Sequence, residues 1–229
     1  MKRIYLLSII LNIGFAAFAQ DAQKTVDALT AKMSTARDYS ANVVIKAEIP
    51  MLKVLPVKAT IYFKQKDKFN IVSKGIAIMP KQGFSDISKL LAKKESYTAL
   101  GTGIETIQNR SAEIITILPI GDTSDFILAK LWIDTKENVM LKSQITSRSN
   151  GTMNVDYIYA SQKSFGLPDS VVFTVDVKKF KIPRGVATDI NRTTTVDDKK
   201  PVSKIGKIHL RFSNYVVNKG LRDEVFTKK

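Results

Sequence analysis

The 229-residue chain has no cysteine and one histidine, His209. Without cysteine there is no thiol nucleophile, no thiolate ligand for zinc and no disulfide framework. A chain of this size buries enough surface to fold without one. With one histidine, a histidine-rich metal site is excluded; His209 lies on a predicted strand and reads as a surface or flanking residue. Acidic residues are the minority, 21 against 36 basic. After residue 18 no apolar run is long enough to cross a bilayer, and no internal repeat or low-complexity tract occurs.

What is present begins with a targeting pattern. Lys2 and Arg3 form a short positive region, Ile4 to Phe18 an apolar run, and Ala17-Phe18-Ala19 a small-x-small cleavage site. An uncleaved anchor fits less well, because the run is short for a span and holds Asn12 and Gly14. The pattern predicts a signal peptide over 1–19 and one domain over 20–229, exported and soluble in the periplasm. With no cysteine after the signal, a bacterial N-terminal lipid is excluded. From Gln20 onward the chain carries 34 basic and 21 acidic residues, a net +13. Such a field favours anionic partners, lipid headgroups or polyanions; equally, the lysines can serve only to keep an apolar-rich carrier soluble. Nucleic acid is not expected, because no aromatic-basic binding motif is present.

Hydrophobic periodicity then sets the architecture. Ala22, Val26, Leu29, Met33 and Ala36 recur at helical steps over Asp21 to Arg37, with Asp21 as N-cap. Ala41, Val43, Ile45, Ala47 and Ile49 alternate with polar residues, as do Val57, Ala59, Ile61 and Phe63, and a third run covers Phe69 to Ser73. Pro50 and Pro56 bracket a loop whose Met51 and Leu52 are apolar without an evident need to be. The period changes at Gly83 to Lys94, where Phe84, Ile87, Leu90 and Leu91 share one face of a short helix, either an ordinary surface helix or a lid. Ala112 to Leu118 is a further strand. The centre of the chain is a meander of four runs, Phe126–Asp134, Asn138–Ser147, Met153–Tyr159 and Ser170–Lys178, with Asn150-Gly151 predicting a tight two-residue hairpin. Residues Ile182 to Ile205 read as an irregular loop, and Lys207 to Val217 as a last strand before Val225-Phe226, which should tuck back onto the sheet.

No catalytic constellation emerges. Gly101-Thr-Gly103 lacks the lysine and the strand-to-helix setting of a phosphate loop, and Asp197-Asp198 beside Lys199 and Lys200 reads as a solvated charge cluster. The sequence therefore predicts no enzyme, no metal and no cofactor.

A family resemblance adds to this. Ile114-Ile-Thr-Ile-Leu-Pro119, Lys130-Leu-Trp-Ile-Asp134, Leu141-Lys142, Gly151 and Leu167-Pro168, with the closing Ile208-His-Leu-Arg-Phe-Ser-Asn-Tyr-Val-Val-Asn218, resemble the LolA-type periplasmic lipoprotein-carrier family and its RseB-type regulatory relatives. The resemblance implies a mainly β (α+β) fold, a single antiparallel sheet curved into an incomplete β-barrel, with an N-terminal helix and a short lid helix on the open side. It implies an apolar interior for lipoprotein acyl chains or another lipid, and as partners an inner-membrane transporter and an outer-membrane acceptor. An RseB-like sensor of a lipid or protein is the alternative. The alternation nominates Val43, Ile45, Ile61, Phe63, Phe69, Val139, Leu141, Val171 and Phe173 as lining of a cavity, with Phe84, Ile87, Leu90 and Leu91 as the lid of a monomeric carrier.

Overall fold

The computed structural model describes residues 21–50, 54–65, 68–75, 84–121, 125–149, 151–176 and 205–227. Helix α1 covers 21–34. Its stripe of Ala22, Val26 and Leu29 is buried in the main core, and Met33 packs against that core. The helix ends before Arg37, which the periodicity had placed inside it: Lys32 O accepts from both Thr35 N and Thr35 Oγ1, tightening the last turn.

Ten strands follow: β1 Asp38–Glu48, β2 Val57–Lys64, β3 Lys68–Ser73, β4 Tyr97–Ile107, β5 Arg110–Pro119, β6 Phe126–Asp134, β7 Val139–Ser147, β8 Gly151–Ile158, β9 Ser170–Asp176 and β10 Ile205–Val217. Helix α2, Phe84–Leu91, precedes β4. The strands make one antiparallel sheet in the order β3-β2-β1-β10-β9-β8-β7-β6-β5-β4. Its two edges, β3 and β4, do not pair with each other, so the barrel stays incomplete. β1 shows the alternation most plainly: Ala41, Val43, Ile45 and Ala47 are buried, while Asn42, Val44, Lys46 and Glu48 are exposed. The buried set faces α1 and α2 and forms the inner side of the sheet.

Three details depart from the sequence pattern. β4 was not expected; after Ala99 its residues are almost all exposed, because it is an edge strand with a bulge between Gly101 and Gly103, and so it carries no buried-exposed alternation. Ser147 pairs with Gly151, whose φ is +70°, so the β7–β8 loop has three residues closed by a left-handed glycine rather than two. In β7, Trp132 pairs with Lys142 but Ile133 pairs with Met140, which leaves Leu141 as an extra residue. That bulge turns Met140 inward and carries Val139 and Leu141 into a separate cluster with Ala112 and Trp132 behind the sheet.

Polar side chains tie the ends of elements together. Asn218, at φ +56°, accepts Arg37 N at 2.7 Å and donates to Thr35 O at 2.9 Å, while Asp38 Oδ1 accepts Lys219 N and Gly220 N at 3.2 and 3.0 Å. The α1–β1 junction is thus clasped to the end of β10. Val225-Phe226 does fold back: the turn Asp223–Phe226 lies against β3, Asn70 Nδ2 donates to Val225 O, and Asp223 bridges Lys64 and Lys68 at 2.8 Å each.

Candidate ligand-binding cleft

Neighbouring strands are antiparallel throughout, so the connections fall at two ends of the sheet. At one end lie β1–β2, β3–β4 with α2, β5–β6, β7–β8 and β9–β10; at the other lie β2–β3, β4–β5, β6–β7 and β8–β9. An open cleft of about 550 Å3 sits at the first end, lined by Ala47, Glu48, Ile49, Pro50, Val54, Leu55 and Ile205. Ala47 is the last inward residue of β1 and Ile49 is buried just beyond it, so the cleft opens beside the inner face. Its lining is apolar apart from Glu48. Lys46, at 2.7 Å, holds that carboxyl below its usual range, with His209 at 3.3 Å on the other side. The one histidine therefore pairs with an acid at the rim. Among the described residues no three His, Cys, Asp or Glu side chains gather as a metal site.

Deeper in, the face is closed. Val43, Ile45, Ile61, Val171 and Phe173 are each 5% exposed or less, and they pack in one cluster with α1 and with Ile87 and Leu91 of α2. Phe63 is half-buried against this cluster and stacks on Tyr39 at 5.2 Å, while Phe69, its cross-strand neighbour, is 44% exposed near the far end. Leu90 packs on the core; the side chain of Phe84 lies outside the described residues. A void beside Leu29, Met33 and Met140 measures only about 10 Å3, close to the room one water needs. At the centre of the face Ser143 and Tyr157, both fully buried, share a hydrogen bond of 3.1 Å, and burial pushes the Tyr157 phenol up from its ordinary range.

The structure thus gathers seven of the nine nominated lining residues on the inner face but leaves none of them on the open cleft. Val139 and Leu141 are corrected to the opposite side. The residues that do line the cleft went unnominated, although the superfluous apolar character of the Pro50–Pro56 loop was a signal for them. Met51 and Leu52 themselves lie outside the described residues. Behind the sheet, Trp132 donates to Glu105 and has Lys142 Nζ 4.6 Å from its ring centroid, and Arg110 meets the buried Asp134 at 2.6 Å. Asp134 also accepts Lys136 N at 2.8 Å, so this network shapes the β6–β7 turn.

No family model and no curated protein matches the sequence. Solved structures do match in fold. A LolA superfamily protein from Nitrosomonas europaea aligns with a TM-score of 0.58 at 12% identity, over 90% of this chain and 97% of its own. A domain described as that of an outer membrane lipoprotein-sorting protein, from Vibrio parahaemolyticus, aligns at 0.57 and 11%, over 91% and 97%. A DUF1329 family protein from Desulfovibrio piger aligns at 0.54 and 14%, over 90% and 97%. At these identities the likeness is one of fold, and it spans nearly the whole of each neighbour: the chain has the LolA-like architecture, an unclosed antiparallel sheet wrapped around an N-terminal helix.

Proposed function

We propose that this chain is a non-catalytic, periplasmic carrier that takes the acyl chains of a lipoprotein or related lipid through the cleft at Ala47–Ile205. In this reading residues 1–19 are its signal peptide and 20–229 its single domain. The observation that carries the reading is the cleft, an open depression of about 550 Å3 whose lining is apolar apart from Glu48. Two of its lining residues, Ala47 and Ile49, belong to the buried core cluster, and Val54 packs against it. The LolA-like architecture supports the same reading, as does the lipoprotein-sorting domain among the fold neighbours.

A longer chain must part α2 from the sheet. Lifting α2 exposes Ile87 and Leu91 at about 1.5–3 kcal/mol each, and burial of methylenes returns about 0.8 kcal/mol apiece. Roughly four to eight methylenes therefore offset the opening. In this reading the buried inward residues nominated from sequence, Val43, Ile45, Ile61, Val171 and Phe173, become lining with Phe63 beside them, Phe69 stays at the exposed far end, and Leu90 and Leu91 act as the underside of a lid. A membrane-bound donor and an acceptor would load and unload it.

The test is displacement of a fluorescent fatty-acyl probe from the purified protein and from Val54→Trp, a half-buried lining position outside the strands. The bulky side chain should weaken binding about ten-fold, the loss expected when a leucine-sized volume of cleft is filled. Wild-type protein that neither binds the probe nor co-purifies with lipid removes the carrier reading. Unchanged affinity in Val54→Trp removes the cleft from it.

A further inference from the structure

The sheet has two edges, and the chain guards them unequally. β3 is six residues long, carries Lys68, and is covered by the protein's own C-terminal turn: Asn70 Nδ2 donates to Val225 O, and Asp223 bridges Lys64 and Lys68. β4 is eleven residues long and pairs only with β5. Every residue from Leu100 to Thr106 is exposed, Leu100 at 38% and Ile104 at 76%. Among the described residues no backbone group of Thr98–Ile107 bonds outside the β4–β5 ladder. Natural sheets guard an open edge with lysine, proline or a covering segment. β4 has no Lys, Arg or Pro, although the chain holds 36 basic residues. Its single charge, Glu105, is engaged by Trp132 Nε1 behind the sheet. The one guard is the bulge between Gly101 and Gly103, which leaves the runs Tyr97–Gly101 and Gly103–Ile107 on either side of it.

A row of open N–H and C=O groups fits another extended strand. Two features select a strand of this same chain. Net positive charge keeps copies apart over most of their surface, and β4 is an edge without a cation, where two copies can approach. The other edge is already occupied by residues 223–226, so head-to-tail union of β4 with β3 of a further copy, which would grow without end, is blocked; union of β4 with β4 closes on itself. We propose that β4 pairs antiparallel with β4 of a second copy, about a two-fold axis near Thr102, joining two ten-stranded sheets into one. That axis keeps the two Glu105 carboxylates toward opposite ends of the shared ladder and covers Leu100 and Ile104, with Leu118 beside them across from Thr98. A dimer replaces the monomer expected from the sequence. The proposal is independent of the carrier reading, because no residue of β4 lines the cleft.

The experiment is analytical ultracentrifugation of the chain without residues 1–19, which precede every described element, paired with amide hydrogen exchange over a dilution series. A dimer is expected, with amides of Leu100–Thr106 protected in concentrated protein and released to fast exchange on dilution. Leu100→Lys together with Ile104→Lys supplies the missing guard and should raise the dissociation constant by about ten-fold or more. Val72→Lys, at a 55% exposed apolar position on the guarded edge β3, should leave it unchanged. A chain that stays monomeric at every concentration overturns the proposal. So does a dimer whose β4 amides exchange no more slowly than the monomer's, or one that both variants weaken equally. Protection of the same amides in a monomer shows that another segment or a bound peptide holds the edge, and overturns it too.

Discussion

Tyr157→Phe tests whether the inner face is dry. Tyr157 and Ser143 are both fully buried, and their hydroxyls lie 3.1 Å apart. Removing the phenolic oxygen leaves the Ser143 hydroxyl without that partner where water does not reach, which costs about 1–3 kcal/mol. For a domain of this length each kcal/mol moves the melting temperature by about 2–4 °C, so a loss near 2 kcal/mol lowers it by about 4–8 °C. Replacing both residues, Ser143→Ala with Tyr157→Phe, removes the orphaned hydroxyl along with its partner and should cost less than the sum of the single changes. Urea and thermal unfolding of the three variants supply the numbers. A single variant within about 0.5 kcal/mol of wild type, the range of surface substitutions, would mean that water replaces the lost partner. The sheet would then enclose a wet hollow, and the argument that ligand must first part α2 from a packed core would fail.

Asn218→Ala removes the bonds to Arg37 N and Thr35 O and sets a residue with a Cβ but no polar group at φ +56°. It should destabilise by about 1–3 kcal/mol, with Asn218→Gly intermediate because glycine relieves the backbone but not the lost bonds; urea midpoints equal to wild type for both would show that the clasp contributes nothing. Hydrogen bonds from Lys64 and then Lys68 lower the Asp223 carboxyl from its ordinary 3.8 to about 2. A depressed folded-state value means that this contribution is complete above about pH 4 and is lost as pH falls through about 2, so carboxyl NMR should give a midpoint near 2 and one near 3.8 would refute the bridge.

Most of the sheet was legible because its residues obey one rule, alternation against a single buried face. β9 follows it throughout and β1 from Ala41 onward, and the bounds of β1, β2 and β6 were read to within a residue or two. The rule fails where the ladder slips. The extra Leu141 reverses the sense of β7, and nothing in Val139-Met-Leu-Lys142 marks the slip, because all three apolar residues are buried, on different sides. β4 escaped for the opposite reason, since an edge strand exposed on both faces shows no pattern. The cleft lay in plain view as apolar residues in a proline-bracketed loop, but a sequence cannot say which buried residues are covered by a helix and which face an opening. That distinction depends on where α1 and α2 come to rest.

The pairing of β1 with β10 has a consequence for how the molecule comes to exist. These two strands are neighbours in mid-sheet, with Val43 opposite Phe212, yet they are separated by nearly the whole polypeptide. A β1–β3 leaf and a β4–β9 leaf can each zip up through local hairpins, but only β10 joins them. Ring closure over so long a stretch is entropically expensive and sets a slow step. A polypeptide made stepwise from its N-terminus would therefore wait as two unjoined leaves until its last strand arrives, and a lesion in β10 would divide the protein rather than fray it.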